Sequence, residues 1–488
     1  MYHISDIKKY RFCPRFFWKD NHQKQTSRMP YIRLEEKLIE LAKEKLEIDS
    51  FFMGVRNDSN DISLSAFEKN EWGCNVRFEY HGLRVKIPFM QKTDEGYRIF
   101  FTYLGVLPKG DDVRFYADNL WVLQQLNLQV VDVQIIHLNA GYIREEELNV
   151  SELFVVSEHF YTPKGNPSKR VFDYVLHHVQ DLSKVLSAME ETLSGSMPEA
   201  VKLPRCYRRN KCPHYDECFP HEQTHDAMSI YHLVNTNQKD ELVAKGITRL
   251  DQLTGEDITG DRVQYAQIMA ARSGGEFVDR LALKNWIKSL QPPFSFLDFE
   301  WDLYAIPPYH GLKPMEVLPF QFSLHMYHDQ QVEHEQFLGV GDCREDFIRK
   351  LLTTIPEEGT IFAYNADGAE KLRLLELARQ FPTYEEALIS IADRLIDLAI
   401  PFFLGLYYNL EFKGAFTLKR VTEVLAPDLA YDDLNIQHGL QAVEQWRAAD
   451  RLDAPMDPDV KDQLFAYCMR DTLSMVSIFQ YLQKLVSE

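Results

Sequence analysis

The sequence predicts an α/β protein of several domains, and three observations carry that prediction. The chain has 488 residues, and at roughly 150 residues per domain this length suggests about three domains. Hydrophobic residues make up 45% and charged residues 26%, which is typical of a folded globular chain. Helical and strand-like patterns follow one another along both halves, and Pro292 and Pro293 mark a break between them. We therefore expect domains over residues 1–221, 222–290 and 291–488.

The charge of the chain is distributed unevenly. The net charge is −19, but residues 1–220 contribute only 30 − 31 = −1, whereas residues 221–488 contribute 24 − 42 = −18. The excess of acid in the second half suits cation binding, while the near-neutral first half can still contact phosphate through local basic clusters. The sequence has no apolar run long enough to span a membrane and no apolar core of a signal peptide near its start. We therefore expect a cytoplasmic protein without membrane contact, in which the seven cysteines serve as metal ligands or core residues and do not form disulfides.

The first domain is predicted to have an α/β or α+β core. The predicted elements are helix 32–46, strands within 75–106, helix 112–127, strand 130–139 and helix 171–194. A cysteine-rich segment follows and closes the domain near residue 221.

Residues 222–290 are predicted to form a helical linker. Within it, residues 242–258 have a helix–Gly–helix pattern with Gly246 at the turn, a hairpin that can present backbone N–H groups to a phosphate. A plain helical linker without nucleic-acid contact is the alternative.

The last domain contains a set of acidic residues that recur at the ends of predicted elements. Residues 294–301 form a predicted buried strand, so Asp298 and Glu300 share one face about 7 Å apart. Two such carboxylates are costly to bury unless a cation neutralises them. Tyr467 and Asp471 lie four residues apart on the predicted final helix, 458–486, and therefore on one face. The elements between are two further strands at 320–328 and 332–340, helix 346–355, strand 360–365, a helix from 366 and a short strand at 395–398.

This pattern resembles the DEDD superfamily of 3′→5′ exonucleases, whose catalytic domain is RNase H-like. The resemblance rests on Asp298-x-Glu300 in the first strand, an acid after the fourth strand, and Tyr467-x-x-x-Asp471. It implies the tyrosine subtype, because Ala466 occupies the position that a histidine would need.

The acid after the fourth strand departs from the usual spacing. It normally lies four residues after an Asn or His, but the residue four after Asn365 is Ala369. We assign this role to Glu370, one residue further on, with Asp367 and Asp397 as alternatives.

The resemblance implies catalysis by two Mg²⁺ or Mn²⁺ ions held by Asp298, Glu300, Glu370 and Asp471. Such ions clamp a scissile phosphate, and as hard cations they prefer carboxylate oxygen. The resemblance gives Tyr467 the task of orienting or deprotonating the attacking water. The alternative for Tyr467 is an ordinary core aromatic residue, and for Asp397 a purely structural role.

The first domain resembles the RecB-type nuclease family, of the PD-(D/E)XK class, which includes exonucleases that carry an iron–sulfur cluster. The resemblance rests on the opening segment SDIKKYRFCPRFFW, which contains Cys13, and on Cys206, Cys212 and Cys218 at the end of the domain. It implies a [4Fe–4S] cluster that joins the two ends of the domain. A structural Zn²⁺ on the same four cysteines is the rival, although no Cys-x2-Cys pair is present. Cys74, Cys343 and Cys468 are predicted to be buried as small hydrophobic residues.

The nuclease residues of that family are missing at the expected positions. Apolar or uncharged residues occupy the places of the metal-binding acids and of the family's lysine and glutamine: Ile87, Pro88, Phe101, Thr102, Tyr103 and Trp121. Because apolar side chains cannot hold Mg²⁺, we expect a degenerate nuclease module, with Asp118 as a relic of the site.

Taken together, the sequence predicts a restriction-endonuclease-like α/β core, a helical linker and an RNase H-like mixed-sheet exonuclease domain. The predicted activity is metal-dependent 3′→5′ cleavage of DNA or RNA, with the first domain as a clamp whose phosphate contacts are Arg205, Arg208, Arg209 and Lys211. One alternative is a catalytically weak nucleic-acid-binding scaffold in a defence or CRISPR-type complex. A further alternative places the nuclease activity in the first domain, at Glu95 and Asp118.

Overall fold

The structure is a computed structural model that describes residues 1–23, 32–33, 38–207, 211–450 and 455–487. The chain forms two compact units. The first comprises residues 1–219 and 303–316, and the second comprises residues 220–302 and 317–488. The mixed α/β architecture predicted for the chain is confirmed, whereas the predicted boundaries at 221/222 and 290/291 stay predictions.

The first unit is built on one mixed sheet. Its strands are Tyr2–His3, Phe51–Met53, Trp72–Tyr80, Leu83–Thr93, Gly96–Tyr103, Val130–Leu138 and Phe154–Ser157. The three central strands from 72 to 103 pair antiparallel, and Gly96–Tyr103 pairs in parallel with Val130–Leu138. A small hairpin joins His159–Tyr161 to Pro167–Arg170.

Helices of the first unit are, in chain order, Ile4–Phe12, Pro14–His22, Leu38–Lys45, Asn60–Ala66, Val113–Gln125, Val150–Leu153, Val171–His177, Ser183–Ser194 and Tyr215–Cys218. The strands predicted within 75–106 and at 130–139 and the helix at 112–127 are confirmed. The predicted helix 171–194 is two helices, because Asp181 accepts hydrogen bonds from the backbone and hydroxyl of Ser183 and so starts a second helix. The predicted helix 32–46 is wrong at Ile32 and Arg33, whose backbones pair with a strand at Leu303 and Tyr304; residues 34–37 lie outside the described part.

Residues 220–290 begin the second unit and share its core. The elements are helices Lys239–Ala244, Arg262–Arg272 and Arg280–Lys288, 3-10 turns Ile230–His232 and Leu250–Gln252, and strand Glu276–Val278. In the predicted helix–Gly–helix segment, Gly246 has a φ of 85° and is followed by the 3-10 turn at Leu250–Gln252. Strand Glu276–Val278 pairs with Tyr407–Asn409, and side chains such as Leu233 and Leu283 pack into one cluster with Phe296.

A second mixed sheet forms the rest of this unit. Its strands lie in the order Gln331–Leu338, Val317–His328, Phe294–Tyr304, Ile361–Ala363 and Leu395–Asp397. The first two are antiparallel, and the last three are parallel. The helices are Arg344–Thr354, Glu370–Gln380, Glu385–Arg394, Ile400–Phe403, Leu418–Leu425, Gly439–Asp450 and Pro458–Ser487. The predicted order of strands and helices from 294 onwards is confirmed.

Both faces of the central strands are largely buried, as in a sheet that helices cover, although one face of Phe294–Tyr304 also carries Asp298, Glu300 and Asp302. Among the described residues, no helix has the length and apolar character needed to cross a membrane.

Candidate metal centre

Three carboxylates from distant parts of the second unit converge at one point. Asp298 and Glu300 lie on the central strand Phe294–Tyr304, and Asp471 lies on the long helix Pro458–Ser487. One carboxylate oxygen from each lies within 4.8 Å of the other two. Side chains alternate between the two faces of a strand, so Asp298 and Glu300 lie on the same face. The helix brings Asp471 to that face. Glu300 and Asp471 are buried, while Asp298 is half-buried and leaves the group an opening to solvent.

Glu370 lies near these three acids, outside the group whose ligand atoms come within 4.8 Å of one another. It is the first residue of helix Glu370–Gln380 and is only 3% exposed. Its carboxylate accepts a hydrogen bond from the backbone N–H of Phe299, which lies between Asp298 and Glu300, and its negative charge raises the pKa of both neighbours. Its Oε2 atom is buried without a hydrogen-bond partner. A buried carboxylate oxygen that lacks a donor is suited to ligate a cation.

The two alternative acids occupy different surroundings. The side chain of Asp367 is 91% exposed, and its carboxylate lies 3.8 Å from the ammonium of Lys371. Asp397 accepts hydrogen bonds from the backbone N–H groups of Asn365, at 3.1 Å, and Ala399, at 2.9 Å. Asp397 therefore holds together the ends of two parallel strands, and the geometry favours Glu370 as the fourth ligand.

All four carboxyl groups have a raised pKa, and burial is the largest cause in each. The pKa of Glu300 and of Glu370 rises to about 8, and that of Asp471 to about 6. The pKa of Asp298 also rises, because burial and the charges of Asp471, Glu300 and Glu370 oppose its ionisation. Four carboxylates in one buried place cannot all be ionised at neutral pH without positive charge nearby.

The chain itself provides an ammonium close to the group, in addition to the guanidinium of Arg373 near Glu370. The ammonium of Lys419, on helix Leu418–Leu425, is attracted by Asp471 and Glu300, and burial lowers its pKa. It lies 5.0 Å from the ring centre of Tyr431 and 5.7 Å from that of Tyr467. These two positive charges do not balance four carboxylates, so the donor set fits one or two divalent cations with oxygen ligands.

Two aromatic hydroxyls contact Asp471. Tyr431 donates a short hydrogen bond to Oδ1, and Tyr467, one helical turn before Asp471, also hydrogen-bonds to its carboxylate. Burial and the acids around it raise the pKa of Tyr467, so this hydroxyl is protonated at neutral pH. The predicted pair Tyr467 and Asp471 therefore lies on one face of the helix and in contact.

Sequence reasoning missed Lys419, Tyr431 and the polar role of Cys468. Cys468 is buried as predicted, and its thiol also lies 3.2 Å from Oδ2 of Asp298. Nothing in the spacing of Tyr431 pointed to the centre.

The four cysteines assigned to a cluster line one small cavity in the first unit. Cys13 separates helices Ile4–Phe12 and Pro14–His22, and the other three follow one another between residues 206 and 218. Phe12, Phe16, Val201, Tyr215 and Phe219 are among the residues that complete the wall. Burial raises the pKa of the Cys212 thiol, and the three other cysteines raise it further when ionised. Arg15 and His214 also line this cavity, and the described cysteines do not form a group whose ligand atoms all lie within 4.8 Å of one another, so the iron–sulfur cluster and the alternative zinc site stay predictions. Cys74 and Cys343 are buried, as predicted.

The predicted phosphate contacts are only partly described. Arg205 lies 6.0 Å from the ring centre of Phe12, and Lys211 forms an ion pair with Asp216 at 2.5 Å. Arg208 and Arg209 lie outside the described residues.

The expected positions of the first nuclease centre are apolar in the structure as well. Ile87, Phe101 and Trp121 are buried in the core of the first unit, as is Pro88, whereas Thr102 and Tyr103 are half-buried. Asp118 is buried in helix Val113–Gln125 and receives two hydrogen bonds from Arg11, at 2.6 and 3.0 Å. Glu95 is exposed on a turn. In the described part of the chain, one group of three or more potential metal ligands has all its ligand atoms within 4.8 Å of one another, and it consists of Asp298, Glu300 and Asp471.

Comparison with known proteins adds one match. Residues 295–417 are similar to a family described as "Domain of unknown function (DUF2779)". This segment includes Asp298, Glu300 and Glu370 and ends before Lys419 and Asp471. Searches of curated proteins and of solved structures gave no match.

Proposed function

We propose that this protein is a metal-dependent nuclease that removes nucleotides from a nucleic-acid end in the 3′→5′ direction. One observation carries the proposal: Asp298, Glu300 and Asp471 bring ligand atoms within 4.8 Å of one another although Asp471 lies some 170 residues along the chain. Buried acids that repel one another reduce stability, and a fold that assembles them has a use for the cation that they attract.

The four acids would hold the ions, with Asp298 at the solvent-facing side. Mg²⁺ or Mn²⁺ bound there supplies Lewis-acid stabilisation of a phosphate and a water of lowered pKa. Tyr467 stays protonated and donates its hydrogen bond to Asp471, so it would position this carboxylate and would not deprotonate the water. Lys419, attracted to Asp471 and Glu300, supplies a positive charge next to the reacting phosphate.

The first unit is proposed to be a RecB-like module that holds the nucleic acid and has lost its own centre. Arg205 and Lys211 lie on the cysteine-rich segment and would contact phosphates, a contact that weakens with salt. The four cysteines that line one cavity would hold a [4Fe–4S] cluster that joins the ends of this module, with zinc as the alternative.

The direct test is cleavage of 5′-end-labelled single-stranded DNA and RNA with Mn²⁺. We expect a ladder of products shortened from the 3′ end, lost in EDTA and in Asp298→Ala. Asp118→Ala and Glu95→Ala are the matched controls in the first unit and should cut like the wild type. Equal residual activity in the wild type and Asp298→Ala would favour the scaffold function instead. Loss of cutting only in Asp118→Ala or Glu95→Ala would place the nuclease in the first unit.

A further inference from the structure

The second unit contains a large cavity. It has a volume of about 670 Å³, within the range of cavities that bind small molecules. Its wall is formed by residues 231–236 and 413–418 together with the ends of two parallel strands at Asn365 and Ala399. The volume is sufficient for one nucleotide-sized ligand.

The charge of this cavity is opposite to that of its surroundings. Residues 221–488 have a net charge of 24 − 42 = −18, yet none of the described residues lining the cavity is acidic. The lining includes Lys239, Lys413 and His232. Nε2 of His232 is buried without a hydrogen-bond partner, and burial, followed by the charges of Lys413 and Lys239, lowers the pKa of the ring. Lys239 donates to the backbone carbonyl of Tyr231 at 2.7 Å, and the Lys413 ammonium lies 3.7 Å from a carboxylate oxygen of Glu411. A positive cavity in an acidic domain indicates an anionic ligand.

Aromatic side chains form another part of the wall. Phe403 is 56% exposed, although its ring lies 5.5 Å from that of Phe416, edge to face. Tyr364 donates a hydrogen bond to the backbone carbonyl of Phe416 at 2.6 Å and so fixes this wall. An exposed, positioned phenylalanine next to cations is the arrangement that stacks on a nucleobase while lysines contact its phosphate.

Two chain segments that line the cavity also lead to residues of the acidic centre. Thr417 and Leu418 line the cavity, and the next residue, Lys419, is attracted to Asp471 and Glu300. Asn365 lines it too, with a φ of 63°, and its backbone N–H is bound to Asp397, whose charge raises the pKa of Glu370. Lys413, also lining it, has a φ of 51°, a conformation that is costly for a lysine and is retained where surrounding structure requires it.

We propose that this cavity binds one unpaired nucleotide of the substrate strand, with its base against Phe403 and Phe416 and its phosphate at Lys239 and Lys413. This inference rests on the proposed nuclease function and names its substrate class: a single-stranded or frayed end. A base paired in a duplex cannot enter a cavity of this kind without leaving the stack.

Binding can be tested without the metal centre. Isothermal titration in EDTA would compare the wild type with Phe403→Ala and the double variant Lys239→Gln/Lys413→Gln, using a single-stranded thymidine tetranucleotide, AMP and inorganic phosphate as probes. Controls are Lys288→Gln and Tyr265→Ala, exposed residues of the same unit outside the cavity. We expect the pocket variants to bind the tetranucleotide at least about tenfold more weakly, and the controls and Asp298→Asn to stay within about twofold of the wild type.

The outcomes separate this inference from the proposed function. With Mn²⁺ we expect the pocket variants to raise KM for a single-stranded substrate while kcat is kept, and the wild type to prefer that substrate over a blunt duplex. If the wild type cuts in an Asp298-dependent manner but the pocket variants match the controls in binding and KM, the assignment of the cavity is overturned and the proposed nuclease function stands. If the wild type does not cut but the pocket variants lose nucleotide binding, the nuclease proposal falls and the nucleotide site stands. Equal binding of phosphate and tetranucleotide would overturn the role of the aromatic wall.

Discussion

The thiol of Cys468, on the long final helix of the second unit, lies 3.2 Å from Oδ2 of Asp298, on the central strand. Burial and the neighbouring acids raise the pKa of this thiol, so it is protonated and acts as a donor. Its bond therefore fixes one oxygen of Asp298 and leaves the other for a cation. A residue that sequence patterns assign to core packing is thus a positioning residue of the proposed centre.

We expect Cys468→Ala to lower kcat of Mn²⁺-dependent cleavage a few-fold and the free energy of unfolding by about 1 kcal/mol, because Asp298 loses a donor. Cys468→Ser, which keeps a donor, should retain more activity. Steady-state kinetics and urea unfolding check both values. Identical kcat in the alanine and serine variants would contradict the positioning role, and Cys343→Ala, a buried thiol away from the centre, controls for packing loss.

The stability of the metal-free protein should fall as pH rises from about 4.5 to about 8. The pKa of Glu300 and Glu370 is about 8 in the fold, against about 4.3 in an unfolded chain. In this window the folded state binds more protons than the unfolded state, so the free energy of unfolding decreases with pH, by an amount on the order of several kcal/mol. Asp471, with a pKa of about 6, adds to the lower part of the same window.

Divalent cations should reverse this loss, because they replace the protons. At 100 times its Kd, Mn²⁺ adds about 2.7 kcal/mol to the free energy of unfolding. At one fixed concentration of Mn²⁺, the effect should be larger at pH 8 than at pH 5, because protons compete for the carboxylates at the lower pH. Thermal unfolding in EDTA and in Mn²⁺ across this range measures it. A cation effect of the same size at both pH values would speak against a site made of these carboxylates.

Asp298 and Asp302 lie on one strand and should respond to neutralisation in opposite ways. Asp302 is fully buried, but Arg447 binds it through Nε and Nη2, so its charge is balanced. The charged groups that raise the pKa of Asp298 are other acids, and its carboxylate accepts a hydrogen bond from the thiol of Cys468. We expect Asp302→Asn to destabilise the protein by about 3–5 kcal/mol, since the buried Arg447 then loses its ion pair with this carboxylate.

Asp298→Asn should instead make the metal-free protein more stable, by about 1–3 kcal/mol, while cleavage falls at least about 100-fold. Urea unfolding in EDTA at pH 8 and Mn²⁺-dependent cleavage give the two readouts. Destabilisation by Asp298→Asn as large as that by Asp302→Asn would mean that Asp298 is an ordinary structural acid.

Much of this centre could be predicted because it follows the periodicities of single elements. Asp298-x-Glu300 shares a face by the strand period, and Tyr467 and Asp471 share one by the helix period. Lys419 and Tyr431 could not be predicted, since they reach the site from a helix and a loop whose placement depends on tertiary packing. The pairing of Asp302 with Arg447 was equally hidden, because a strand pattern shows an acid but not its partner 145 residues away.

The fold could be predicted to a similar extent. Alternation of apolar residues predicted the strands around 75–106 and a hairpin of strands 320–328 and 332–340, which the structure has at Val317–His328 and Gln331–Leu338. The segment at Ile32 has apolar residues at helical spacing, yet its backbone pairs with Leu303, a residue 271 positions later. Such long-range pairing overrides a local periodicity.

Tyr467→Phe separates orientation from proton abstraction. The phenol has a raised pKa and hydrogen-bonds to Asp471, so it acts as a donor. We expect the variant to lower kcat about 10- to 100-fold, with unchanged Mn²⁺ affinity and an unchanged shape of the pH–rate profile. Loss of an ionisation from that profile in Tyr467→Phe would show instead that the tyrosine removes a proton. Tyr431→Phe, which removes the other hydroxyl on Asp471, is the matched control for the hydrogen bond alone.

The four cysteines of the first unit should bind iron and acid-labile sulfide when the protein is purified without oxygen. Cys13, Cys206, Cys212 and Cys218 line one cavity, and Cys13 comes from the opposite end of the unit, so a group held by all four ties the two ends of the chain segment together. We expect about four iron and four sulfide per chain, lost in Cys13→Ser and kept in Cys74→Ser, whose thiol is buried away from that cavity. Cys13→Ser should also lower the unfolding temperature of the first unit while cleavage at the Asp298 centre persists, because the group is structural.

Stoichiometric zinc with no sulfide would assign the cavity to zinc, since a tetrahedral site needs four thiolates but no sulfide. Neither metal in protein purified without oxygen would leave the four thiols as core residues.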